Sequence, residues 1–158
     1  MRAWHFTGTN EPLVRVEIPE PVPGPGEAVV DIRAAGLCHS DVGALTDETW
    51  LPYIPNRPVV IGHEIAGVVS AIGTGVSGVA VGDRVIAYLK WGGARQKVVV
   101  AADRLIPMPD ALDFVRAAGL TVTYGTAIHG LVDRGEVKPG ETVAVLGASG
   151  GVGQADRK

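Results

Sequence analysis

A single cysteine among 158 residues is the sharpest scarcity in this sequence. Cys38 has no second thiol to pair with, so an internal disulfide is excluded, and so is any zinc lobe built from four cysteines. An excess of one charge sign is also missing. The chain carries 14 Lys and Arg against 17 Asp and Glu, a net charge of −3. That removes the electrostatic case for nucleic acid or an anionic membrane as partner. No run of about 18 apolar residues occurs, so no bilayer-spanning helix is expected. The opening MRAWHFTGTNEP lacks the apolar stretch of a secretory signal. One thiol and no export signal make the cytoplasm the expected location. Glycine, by contrast, is plentiful: 22 residues, about twice average usage. Hydrophobic residues reach 46%, so the glycine does not mark a disordered chain, and there is material for a core.

The first ~105 residues read as short strands separated by Gly and Pro turns. Residues 2–6 and 13–18 are strand-like. EAVVDIRAAG, IAGVVSAIG, GDRVIAY and ARQKVVVAA follow as further strands, and PEPVPGPGE is a break. Residues 38–46 predict a short helix with His39 or Ser40 near its start and Asp41 in its first turn. LPYIPNRPVV, with its prolines, predicts a loop. The whole predicts a mostly antiparallel barrel or sandwich. Most of the glycine then belongs to turns. Past Pro109 the pattern changes. Asp110 is expected to cap a helix running to about Ala118, and a second helix is expected over 124–134. Thr142–Leu146 is apolar without alternation, the pattern of a strand buried on both faces.

Gly147, Gly150, Gly151 and Gly153 come directly after that run. Such a loop lets backbone N–H groups approach a pyrophosphate, and a flexible Gly-rich terminus is the plainer alternative. The spacing is G-x-x-G-x-x-G rather than G-x-G-x-x-G. Only 17 residues remain from Thr142 onward, fewer than the ~30 of a βαβ unit. A second group of candidates surrounds the lone cysteine. Cys38 in GLCHSD and His63 in GHE are first-choice zinc ligands, as is a carboxylate. Ser40 can pass a proton from a bound alcohol, and Asp41 can accept the free imidazole N–H of His63. A buried structural thiol and a satisfied core histidine compete with that reading. His5 and His129 are expected to be packing or surface residues, and Tyr53 and Trp91 are candidates to border a cleft.

Taken in order, GLCHSD, GHEIAGVVSAIGTGV, VGDRV, AAGLTVTYGTAIHGL and KPGETVAVLGASGGVG resemble the medium-chain dehydrogenase/reductase superfamily, in its zinc alcohol dehydrogenase and quinone oxidoreductase branches. The resemblance runs from Arg2 to Gly153 and covers about the front half of a family member. It implies a fold mainly β with short helices. Residues 1–140 would form a partly open GroES-like β-barrel, with connecting helices from about 110. Residues 141–158 would hold the first strand and glycine loop of an incomplete Rossmann fold. It further implies that Cys38 and His63 are catalytic zinc ligands, with Glu64 beside them. Ser40 becomes the proton-relay hydroxyl, and His39 a contact to the cofactor pyrophosphate. Gly147, Gly150, Gly151 and Gly153 become the nucleotide loop, and NAD(P) the cofactor.

One position departs from the zinc pattern. The usual third ligand falls at Ala117 or Ala118, where no metal can bind, leaving Glu64 as the available substitute. The missing structural zinc lobe and the string GASGGVG resemble the zinc-free quinone oxidoreductase branch. The implied activity is hydride transfer between a nicotinamide and an alcohol or carbonyl, a quinone or an enone, on a small-molecule substrate. This chain alone is expected to be inactive and to bind NAD(P)H weakly. The alternative is a non-catalytic GroES-like domain. In either case an unpaired strand edge is expected to favour homo-oligomers.

Overall fold

The computed structural model describes residues 1–54 and 56–156. Pro55, inside the predicted loop 51–60, and Arg157 and Lys158, at the end of the predicted second segment, lie outside the described residues. Eight strands and four α-helices are formed: β1 (Arg2–Phe6), β2 (Val14–Glu17), β3 (Glu27–Gly36), α1 (His39–Thr46), β4 (Val59–Val60), β5 (Glu64–Ile72), β6 (Arg84–Tyr88), β7 (Lys97–Ala101), β8 (Ile106–Pro107), α2 (Phe114–Ala118), α3 (Leu120–Ile128) and α4 (Gly151–Ala155). Every pairing between these strands is antiparallel. A three-stranded sheet runs β2-β1-β4, and a five-stranded sheet runs β7-β3-β5-β6-β8. An isolated bridge between Ala3 and Arg95 ties β1 to the segment that leads into β7.

Strand alternation explains the core. On β5 and β6, Ile65, Val69, Val85 and Ala87 point into the barrel with Val30, Val98 and Val100. Ala66 and Ile86 point the other way and pack with Met108, Ala117 and Ala118 beneath α2. Both faces of these strands are therefore covered. That is why IAGVVSAIG reads as almost continuously apolar despite antiparallel pairing. Each fully buried Val or Ile contributes about 1.5–3 kcal/mol. A third cluster of Phe6, Ala44, Ile54 and Ile61 fastens α1 to β1.

Several boundaries differ from the sequence expectation. Helix α2 is capped by Asp113 rather than Asp110. The Asp113 Oδ1 accepts the Arg116 N–H at 2.9 Å, while residues 109–112 form a turn closed by Leu112 N–H to Pro109 O at 3.1 Å. Arg84 of β6 holds that turn by donating to Asp110 O at 2.9 Å and to Leu112 O. Its guanidinium also lies 4.9 Å from the centre of the Phe114 ring. Loss of the cap in Asp113→Ala is expected to cost about 1 kcal/mol in urea unfolding. A change below about 0.3 kcal/mol would assign the helix start elsewhere.

The second helix begins at Leu120, not Tyr124, because Gly119 ends α2 and starts α3 without an intervening loop. It continues as a π-helical turn over His129–Arg134. The predicted loop contains a 3-10 turn at Glu48–Tyr53 and the two-residue β4. The predicted strand 142–146 has no ladder partner among the described residues, and Leu146 is 95% exposed. A buried strand needs neighbours on both sides, and none of the described strands lies beside it.

Candidate functional site

The register of β3 against β5 builds the site. Ala28 faces Ile72 at one end and Gly36 faces Glu64 at the other, with irregularities at Val29/Val30 and Ile32/Ala34. The chain leaves β3 at Gly36, so Cys38 emerges beside His63 and Glu64, where β5 begins. A side chain at Gly36 would crowd this corner: its Cβ would stand 2.8 Å from Glu64 Oε2. Gly62 precedes His63 with φ of +86°, a conformation glycine adopts without strain.

Helix α1 supplies the second wall. Cys38 is its N-cap and Asp41 lies in its first turn. The Asp41 carboxylate is 2% exposed and serves both elements at once. One oxygen accepts the Cys38 N–H at 3.0 Å, and the other accepts the Gly62 N–H at 3.2 Å. Asp41 Oδ1 also stands 3.6 Å from His63 Nδ1. That is beyond hydrogen-bond length, so the carboxylate orients the ring as a nearby charge. His63 Nε2 then faces the opposite way, 3.5 Å from Ser40 Oγ and 3.7 Å from Glu64 Oε1. Tyr88 packs edge-on against the ring with centroids 5.6 Å apart.

Cys38, His63 and Glu64 each offer one ligand atom, and these atoms lie within 4.8 Å of one another. A tetrahedral zinc with bonds of about 2.0–2.3 Å separates its ligand atoms by roughly 3.3–3.8 Å. The His63–Glu64 separation matches this, and a contraction of about 1 Å brings in the widest pair. The donor set of thiol, imidazole and carboxylate fits zinc. The two candidate positions for the usual third ligand do not contribute. Ala117 and Ala118 are fully buried in the apolar cluster under α2.

Above the cluster lies a cavity of about 210 Å³ lined by Ser40, Asp41, Trp50, Tyr53, His63, Tyr88, Lys90 and Trp91, among others. Both cleft candidates, Tyr53 and Trp91, are on its wall. The buried Trp91 indole N–H finds no acceptor among the described residues. Tyr88, Lys90 and Trp50 were not singled out from the sequence. Tyr88 could have been found only by knowing that it pairs across from Glu64.

The other sequence candidates stand apart. His39 is exposed on the first turn of α1. His129 is an exposed surface residue 3.0 Å from Asp133. His5 lies in β1 opposite Val14 and Val60. Gly147 and Gly150 lie in the turn into α4, Gly151 and Gly153 lie in its first turn, and none of them lines the cavity. Gly153 is needed there, since a Cβ would collide with the Gly147 carbonyl. No helix among the described residues is long and apolar enough to cross a membrane.

Residues 24–110 match the alcohol dehydrogenase GroES-like domain family, just over half of the chain. The synaptic vesicle membrane protein VAT-1 homolog of Rattus norvegicus is 41% identical over 135 residues, covering 85% of this chain and 33% of that protein. The quinone oxidoreductase of Pongo abelii is 32% identical over 160 residues, covering 98% of this chain and 47% of the relative. An alcohol dehydrogenase superfamily protein from Novosphingobium aromaticivorans superposes with a TM-score of 0.90 at 34% identity, over 99% of this chain and 48% of its own. The chain thus spans about a third to a half of the relatives it matches. With its strands, its domain match and these neighbours in agreement, the chain belongs to the medium-chain dehydrogenase/reductase superfamily of oxidoreductases.

Proposed function

We propose that this chain is the GroES-like half of an NAD(P)-dependent oxidoreductase that moves a hydride between the nicotinamide and an alcohol–carbonyl pair. The observation that carries this reading is the convergence of Cys38, His63 and Glu64 within 4.8 Å, with Asp41 behind the imidazole. These three residues would hold a zinc ion, which supplies Lewis acidity toward a substrate oxygen. The chain's own groups do the rest. Asp41 turns the His63 Nε2 toward the cluster, Ser40 stands where its hydroxyl can take or return a proton, and the Trp50–Trp91 cavity offers the substrate an aromatic wall. In the same reading, residues 1–140 form the catalytic domain and 141–158 open the cofactor domain. Gly147, Gly150, Gly151 and Gly153 approach the pyrophosphate, with His39 as a further contact.

One observation favours a second reading. Ala117 and Ala118 leave the usual third-ligand position apolar, as fits a zinc-free reductase of quinones or enones, in which the protein chiefly orients substrate and cofactor. A hybrid separates the two. Residues 1–156 would replace the matching half of the Novosphingobium aromaticivorans protein. The hybrid is expected to oxidise alcohols with NAD(P)⁺, and Ser40→Ala is expected to lower kcat by about 100-fold, the scale of one proton-transfer group. A hybrid that binds NAD(P)H and reduces quinones with Ser40→Ala and His63→Ala at full rate would overturn the alcohol dehydrogenase assignment.

A further inference from the structure

Four of the chain's 14 basic residues, Arg2, Arg15, Arg33 and Arg95, line one cavity of about 380 Å³. They come from β1, β2, β3 and the segment before β7, and no Asp or Glu lines the cavity with them. None of the four is ion-paired among the described residues. The nearby carboxylates are engaged elsewhere. Glu17, opposite Arg2 in the ladder, lies 3.6 Å from the terminal ammonium, and Glu20 accepts from Lys97 at 2.6 Å. Arg95 donates its Nε–H to Gly92 O at 2.8 Å, which leaves its terminal nitrogens for the cavity. Burial pushes the Arg95 guanidinium below its ordinary value, yet a guanidinium stays charged in proteins.

The charged cavity does not end in solvent on every side. Trp4, Ala35 and Ala94 also line a second cavity of about 380 Å³, whose wall is mainly apolar, includes Leu13, Leu37 and Ile61, and carries one buried carboxylate, Asp41. Both lie along β3 where β7 has stopped pairing with it, beyond Asp31. Each compartment has the size of a small-molecule site. Arginine is the side chain suited to carboxylate and phosphate, which it grips with paired N–H donors.

We propose that these adjoining cavities bind a small anionic amphiphile, its carboxylate or phosphate head among Arg2, Arg15, Arg33 and Arg95 and its hydrocarbon tail against Leu13, Leu37 and Ile61. The arginine-lined compartment lies away from the Cys38–His63–Glu64 cluster, the apolar one reaches it at Gly36, Asp41 and Gly62, and binding does not depend on the activity proposed above. Calorimetry on the chain with octyl phosphate, octanoate, octanol and inorganic phosphate, each below its micelle concentration, tests it. At least one octyl anion is expected to bind tenfold or more tightly than both octanol and inorganic phosphate. Octyl phosphate winning identifies a phosphate head, and octanoate winning a carboxylate. An Arg15→Gln/Arg33→Gln double variant is expected to lose tenfold or more in anion affinity with octanol binding unchanged. Both arginines are exposed, so circular dichroism should show the fold intact. Octyl anions no tighter than octanol, inorganic phosphate as tight as octyl phosphate, or unchanged anion affinity in the folded double variant would each overturn the proposal.

Discussion

His63→Ala protein is expected to leave a metal-replete purification with less than about a tenth of the zinc carried by the unmodified chain, measured by mass spectrometry of the metal. In the proposed site the imidazole would be the central ligand of the three. Its Nε2 faces both Ser40 and Glu64, and it is nearly buried, so no neighbouring side chain can swing in to replace it. Metal binding by a built site carries a large free energy, and that energy falls steeply when one of only three protein donors is removed. Asp41→Asn should act through the ring instead. It keeps the shape but turns an amide toward one of two backbone N–H donors, Cys38 or Gly62. The expected loss is about 10–100-fold in zinc affinity, the usual effect of removing the group that orients a ligand. Equal zinc in all three proteins would remove this cluster as the metal site and leave the zinc-free reading.

Phe6→Ala is expected to lower stability by about 3–5 kcal/mol, read as a fall in the urea midpoint at constant slope. Phe6 is fully buried and among the largest side chains with no exposure. It packs with Ala44 of α1, Ile54 after the 3-10 turn, and Ile61 just before His63. Its removal leaves a cavity among rigid strands that cannot collapse around it, and the loss is a large share of the 5–15 kcal/mol that holds an ordinary domain together. The same cluster supports the first turn of α1, so zinc retention should fall along with stability. A loss below about 1 kcal/mol would mean that α1 is held to the sheet by something other than this contact.

Much of the architecture was legible in the residues. Apolar runs in EAVVDIRAAG and GDRVIAY, bounded by Gly and Pro, placed β3 and β6, and residues 38–46 with Asp41 in the first turn placed α1. These are local signals: an apolar run between turn residues reads as a strand, and a short acid at a helix start satisfies free N–H groups. The cap of α2 was misplaced because Asp110 and Asp113 are equally suited by type. In the fold, Arg84 reaches from β6 to carbonyls of the 109–112 turn, and Asp113 is the one that caps. Residues 142–146 have the composition of a central strand, but composition carries no hydrogen-bond partner, and a strand exists only as part of a ladder.

The site divides in the same way. Residue type alone determined which side chains have metal and proton chemistry: the lone thiol at 38, the imidazole at 63, and the carboxylates at 41 and 64. It also determined that an alanine, Ala117 or Ala118, stands where the usual third ligand would be. Tertiary structure decided which of these groups meet. The pairing of Gly36 with Glu64 closes a gap of more than twenty residues and sets Cys38 beside His63. It buries Asp41 between two backbone N–H groups, stands Tyr88 against the imidazole, and leaves His39 in solvent. Four arginines scattered from position 2 to position 95 share a cavity for the same reason. Chemistry is a property of single residues and survives in the string of letters. Proximity is a property of strand register, which is set by the joint burial of many side chains and by no single one of them.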